Sequence, residues 1–461
     1  MKFKFLIITF FLIISGLSES FSQLPNQNTY LLRNLNEHYT STLYSAIWGY
    51  VAPDNREYAL LGCPTGTAFI DITDSANIHE VDYLTGLTSA WREMKVYSHY
   101  AYIVSEATNS KLQIVDLQYL PDSVHLVKTW NYTGYTRTHS ISQWDHYIFL
   151  NGGNSASNGG ITVLDVSDPE NPVKMGQWTT LYVHDCRVVN DTIYAANIND
   201  GKVSIINATN KMSLATVVTF NNLVNSGPHN TALTTNRKRL FVTDEIGSAP
   251  YLLKVWNIEN PSNPVYVSSW QPTGITTSII HNVESYGNWL VIGHYTAGIR
   301  ILNITNPDAP QEVAWYDTYP QNNNESYNGC WGVYMFPSGK IAASDRQTGL
   351  YVIKTNFPMT GTGLQSNINS IPDKYELSQN YPNPFNPETK INYSIPAAGK
   401  VSLKVYDILG NEIATLVNGD KPAGNHTAEF SADKYGLSSG VYFYTLKAGE
   451  FSETKKMNLI K

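Results

Sequence analysis

Charge is scarce in this chain: Asp, Glu, Lys and Arg make up 15% of its 461 residues, and the net charge of −7 is spread without a basic stripe. Soluble proteins usually carry about a quarter. The missing stripe argues against a nucleic-acid partner, because phosphate binding gathers Lys and Arg on one face. Cysteine is scarcer still. Cys63, Cys186 and Cys330 contain no CxxC pair, so at most one disulfide can form, and buried free thiols are expected. After the N-terminal run no segment is apolar and long enough for a permanent membrane span. HExxH, Walker-type and dinucleotide signatures are absent, so none of these motifs points to an enzyme.

At the N-terminus, Lys2 and Lys4 precede the apolar run 5–14, and Ser20-Phe21-Ser22 offers a small-x-small cleavage site. That order reads as a signal peptide over 1–22. The remainder has 12% aromatics, with 31 Tyr and 10 Trp, and is rich in Gly and Pro, which favours all-β structure with many turns.

A repeat decides the architecture. Alternating apolar strands ending in Asp or Asn recur as 67–71, 112–116, 161–165, 203–207, 253–257 and 299–303, and 350–354 keeps the strand while replacing the marker with Lys354. The markers Asp71, Asp116, Asp165, Asn207, Asn257, Asn303 and Lys354 are 45, 49, 42, 50, 46 and 51 residues apart. Each unit holds four strands, the size of a propeller blade. The seventh unit lacks its fourth strand, and 29–35 stands before the first with no blade of its own. The expectation is a seven-bladed β-propeller over 23–355 whose N-terminal strand closes the last blade and hides a sheet edge. Repetition of the marker argues for turn-making, since an Asx side chain bonds its own backbone. The loop Asp165 to Glu170 is the nearest approach to a Ca²⁺ site and is discounted.

The stretch 161–172, ITVLDVSDPENP, resembles the LVIVD repeat of bacterial and archaeal surface proteins, and 28–355 resembles the choice-of-anchor B group, which joins such repeats to varied C-terminal anchors. The resemblance implies an architecture and hardly any activity. Residues 356–375 read as a linker. Beyond it, Tyr381-Pro-Asn-Pro, the segments 391–395, 401–410 and 437–446 and the terminal 455–461 give a small Ig-like β-sandwich over 376–461. Their order resembles the type A sorting domain of the type IX secretion system of the Bacteroidetes. It implies a partnership with that machinery and a secreted or cell-surface protein.

The strands that open each unit carry the only chemical lead. Their first residues, aligned to the markers, are Trp48, Trp91, His139, His184, His229, His281 and Trp331. In a propeller these positions ring one mouth of the channel, with four imidazoles on consecutive blades and three indoles on the rest. Three readings stand. The side chains bond neighbouring blades, as repeat proteins do once per unit. His139, His184, His229 and His281 converge on a divalent metal such as Zn²⁺. Or the mouth binds a small molecule, glycan or protein, with Trp48, Trp91 and Trp331 as platforms and Asp185, Asn230 and Asn282 beside them. Asp185 could orient an imidazole or cap the preceding loop. Arg92 and Arg187 suggest a cross-blade ion pair, and Cys186 and Cys330 packed thiols. The functional expectation is a binding propeller of unknown ligand. The alternatives are a metal-dependent hydrolase or lyase, with Asp185 or Glu93 as base, and a structural surface protein without ligand.

Overall fold

A computed structural model describes residues 26–40, 43–223, 226–359, 375–380, 382–396, 399–421 and 424–460. The expected signal peptide, most of the expected linker and Tyr381 lie outside the described residues.

The apolar runs of each unit form four-stranded antiparallel sheets, seven in succession. The first comprises Ile47–Val51, Glu57–Cys63, Gly66–Asp71 and His79–Thr85. The innermost strands are Ile47–Val51, Arg92–Tyr97, Ser140–Trp144, Asp185–Val189, Ser226–Leu233, Asn282–Tyr286 and Cys330–Met335. Each packs against the next, and the last packs against the first, so the sheets close into a β-propeller. Burial follows from that position. Middle strands, pressed between neighbouring blades, are apolar on both faces, as Ala59, Leu60 and Leu61 are. Outermost strands such as His125–Trp130 alternate between exposed and half-buried residues.

The marker residues act as the sequence suggests. Asp71, Asp116, Asp165, Asn207, Asn257 and Asn303 each accept the backbone N–H two residues on, at 2.8–2.9 Å. Each carboxylate or amide thereby turns the chain from the third strand to the fourth. Asp168 accepts the Glu170 N–H and Glu170 accepts the Tyr100 hydroxyl, so the loop around Asp165 spends its oxygens on the protein itself.

Closure has two components. Thr29–Leu35 pairs antiparallel with Gly349–Thr355, from Thr29 opposite Thr355 to Leu35 opposite Leu350. Asn26–Gln27 goes one sheet further and extends the sixth blade beside Gln311–Tyr316, a strand the repeat pattern does not signal. A buried polar seam then joins the last blade to the first. Glu57 accepts from Lys340 Nζ at 3.1 Å, from Ser338 N at 3.0 Å and from Ser338 Oγ at 2.6 Å, while Lys340 also donates to the Thr73 carbonyl.

The C-terminal residues form two further sheets. One contains Glu376–Leu377, Glu388–Ile395 and Gly424–Ser431, the other Glu412–Lys421, Gly399–Tyr406, Gly440–Ala448 and Phe451–Leu459. Alternate residues such as Ile391, Tyr393, Leu403, Val405, Tyr444 and Leu446 face inward and build one core, as an Ig-like sandwich requires. Among the described residues no helix is long and apolar enough to cross a membrane.

Removing one member of a buried ion pair strands the other, at a cost of about 3 kcal/mol. Lys340→Met is therefore expected to lower the unfolding free energy in urea by about that amount, and Glu57→Gln in the same chain to recover part of it. An unchanged midpoint for the single variant would show that the seam is not held at Glu57.

Candidate functional site at the channel mouth

Each innermost strand begins at the same end of the channel, so the residue at its entry is set against its counterparts on both sides. The four imidazoles come together. Ring centroids are 4.0 Å apart for His139 and His184, 4.4 Å for His184 and His229, and 3.9 Å for His229 and His281. Trp331 follows at 4.7 Å from His281, and Trp91 lies 6.5 Å from Trp331. These six side chains line a cavity of about 20 Å³ together with Ala46, Arg92, Glu93, Ser140, Asp185 and Asn282, enough for one ion or water.

Trp48 does not belong to this ring. Ala46 takes the equivalent place, its carbonyl accepting from Gly62 N and its N–H reaching Arg92 O on the next blade. Trp48 is two residues further along the strand and therefore one layer deeper, with Lys95 Nζ 3.8 Å above its ring and Tyr334 5.0 Å away. The count back from Asp71 misplaces it because the turns of this blade differ in length from those of the others, five residues at 52–56 and only Pro64-Thr65 next.

Asp185 and Asn282 border the mouth cavity, and they share a deeper one with Asn230. This second cavity, of about 20 Å³, is also lined by Trp48, Glu93, Lys95, Arg187 and Glu284. Asp185 accepts from Asn230 Nδ2 and Cys186 N, and Ser140 Oγ is 3.5 Å away. It orients no imidazole. Burial, reinforced by Glu93, pushes its carboxyl up to about 7. Glu93 is paired with Lys95 at 2.9 Å. Arg187 makes the cross-blade pair, reaching past blade five to Glu284 of blade six at 2.8 Å. Arg92 does not pair with a carboxylate, and donates to the carbonyls of Cys63 and Leu87.

The imidazoles are held by other groups. His281 Nδ1 lies 2.6 Å from the Trp331 carbonyl, which can only accept, so Nδ1 carries the proton and the Nε2 lone pair is free. His139 Nδ1 pairs with Glu106 at 2.7 Å. Glu245 is the centre of the cluster. Its Oε2 lies 3.7 Å from His184 Nε2 and 3.5 Å from His229 Nε2, and its Oε1 lies 3.4 Å from His281 Nε2. The Tyr295 hydroxyl donates to Oε1 at 2.8 Å. Donor atoms of His184, His229 and Glu245 all fall within 4.8 Å of one another.

Electrostatics keep these rings in the ligating form. Burial, then the neighbouring imidazoles, lowers His184 well below its ordinary range and His229 to about 3, so both are neutral at pH 7. Burial opposes ionisation of Glu245, but the imidazole cluster outweighs it and holds the carboxyl well below the usual range. Burial, with the Glu245 carboxylate adding, raises the Tyr295 hydroxyl, while the Arg346 guanidinium beside it works the other way.

Glu106, Glu245, Tyr295 and Arg346 were not anticipated from the sequence. All stand within two residues of the end of the second strand of their blades, near the entry of the first. A polar or charged residue near the end of each of these second strands was the signal available.

Residues 379–460 match the secretion system C-terminal sorting domain, and 155–180 and 280–318 match the LVIVD repeat. The chain carries LVIVD repeats and an export tail. That tail marks an LVIVD propeller for type IX export to the cell surface or the medium, and it engages the secretion machinery. No curated protein matches the sequence. Among solved structures, a candidate 6-phosphogluconolactonase from Bacteroides uniformis superposes with a TM-score of 0.52 at 11% identity, covering 70% of this chain and 95% of its own. A candidate 6-phosphogluconolactonase from Bacteroides fragilis gives 0.49 at 11% identity, covering 70% and 97%. At such identity the likeness extends to the propeller fold alone.

The three cysteines of this exported protein are free and buried. Burial pushes the Cys186 thiol up to about 12 and those of Cys63 and Cys330 higher still, so thiolate, the reactive form, is suppressed. The native protein is expected to leave a thiol-disulfide reagent unreacted at pH 8, and the urea-unfolded protein to titrate three thiols. Rapid reaction of the native form would contradict that packing.

Proposed function

We propose that this exported propeller binds its ligand at the channel mouth through a divalent metal ion such as zinc, held by His184, His229 and Glu245 with His281 as fourth donor. The observation that carries the reading is the set of separations between three Nε2 atoms and one carboxylate, 3.4 to 3.7 Å. They exceed a good N–H···O hydrogen bond. The two that reach Oε2 are close to the edge of a tetrahedron whose centre is about 2.1 Å from each donor, roughly 3.4 Å, while His281 approaches the other oxygen. The free Nε2 of His281, fixed by the Trp331 carbonyl, supports the same assignment, since a ligating imidazole commonly donates its other N–H to a backbone carbonyl. The buried Nε2 of His281, without a hydrogen-bond partner, would otherwise be left against a carboxylate that it does not bond.

Binding is favoured over hydrolysis by the state of the candidate bases. Glu93 is engaged by Lys95, and Asp185 is bonded to Asn230 beneath the ring. Neither is free to activate water at an open metal position. A structural protein without ligand would have no use for the unbonded His281 Nε2.

Metal analysis of the secreted protein, purified without chelator or reloaded with zinc, is expected to give about one ion per chain. His184→Ala with His229→Ala should abolish it, and Glu245→Gln should weaken zinc binding by at least about tenfold. Absence of zinc binding by the folded wild-type chain would overturn the reading.

A further inference from the structure

Eight Lys and Arg side chains are buried among the described residues: Arg92, Lys95, Arg187, Lys211, Lys254, Arg300, Lys340 and Arg346. Six of them meet a carboxylate. The pairs are Lys95 with Glu93, Arg187 with Glu284, Lys211 with Asp191, Lys254 with Asp244, Arg300 with Glu312 and Lys340 with Glu57. Arg92 donates to two carbonyls instead. Arg346 is the exception. It is 6% exposed, makes no ion pair among the described residues, and its buried Nε has no hydrogen-bond partner. A buried cation without a counter-charge is among the costliest arrangements a fold can keep.

Its position gives the reason. The guanidinium lies 4.9 Å from the Trp331 ring and 6.0 Å from the Trp91 ring, both of which line the mouth cavity. It is also beside Tyr295, whose hydroxyl bonds Glu245. Glu106 is engaged by His139, Glu93 by Lys95 and Asp185 by Asn230, so Glu245 is the carboxylate that faces the imidazoles. A divalent ion there would deepen the positive excess. The cavity itself has no room for a ring, but Trp91 at its rim is 39% exposed, and Tyr327, packed on Tyr295 at 5.5 Å, is 46% exposed.

We infer that the ligand of this mouth is an acidic sugar, its carboxylate facing Arg346 and its ring lying on Trp91 outside the cavity. Arginine presents a planar fork that a carboxylate matches with two bonds, and an indole offers a flat apolar face to a sugar ring. The inference deepens the metal-site reading by naming the ligand class, yet Arg346 and Trp91 are separate from the proposed metal donors.

The test compares methyl glucuronide and methyl galacturonide with methyl glucoside and methyl galactoside by calorimetry, on the full secreted chain with and without zinc. At least one uronide is expected to bind about tenfold or more tightly than its neutral partner, the discrimination a charged hydrogen bond supplies. Arg346→Gln should erase that preference, with Arg346→Lys intermediate because it keeps the charge and loses the fork. Zinc titration of each variant reports that the ring is intact. Equal affinity for acidic and neutral sugars, or a preference unaffected by Arg346→Gln, would overturn the inference while leaving the metal site in place. Failure to bind zinc together with Arg346-dependent uronide binding would do the opposite, removing the metal and keeping the acid.

Discussion

The ladder between Thr29–Leu35 and Gly349–Thr355 is the constraint on which the rest of the propeller depends. Seven sheets in a row would leave two exposed edges and an open arc. Pairing the first strand of the chain with the last of the array converts that arc into a ring, and only a ring brings equivalent residues of successive blades to one axis. His139, His184, His229 and His281 are 45 to 52 residues apart in sequence, yet their rings stand in contact because the circle is closed. Glu57 and Lys340 place a buried ion pair across the same seam, where a hydrophobic contact alone would not fix the angle between the blades.

Much of this was legible because propeller blades repeat their physics. Asp71 and its five counterparts bond the N–H two residues on, a local interaction that needs no knowledge of the fold. The strand at 29–35 could be assigned to the last blade because that blade lacked a fourth strand and this one lacked a blade. The pairing of Asn26–Gln27 with the sixth sheet left no such trace, being two polar residues without alternation.

The site was only half legible, for the same reason. Repetition marks the innermost strands, so the imidazoles could be aligned by counting. Counting fails where turns change length, and so Trp48 was assigned to the ring when Ala46 occupies it. Glu106, Glu245, Tyr295 and Arg346 stand near the same strand end but are not of one residue type, and a repeat search is blind to a position whose residue changes from blade to blade. Their role depends on facing across the axis, which is a property of the closed ring rather than of any single unit.

Thr355 ends the strand that the closing ladder holds, and the path to the sorting domain begins immediately after it. Any tension applied through the tail, by the export machinery or by an anchor, is therefore delivered through the packed residues Phe357 and Met359 to Gly349–Thr355. That strand is gripped on one side by Thr29–Leu35 and on the other by Ile341–Asp345. A strand drawn along its own length loads the bonds of both ladders together instead of opening them one at a time, so the join that makes the circle is also where a mechanical load is best resisted.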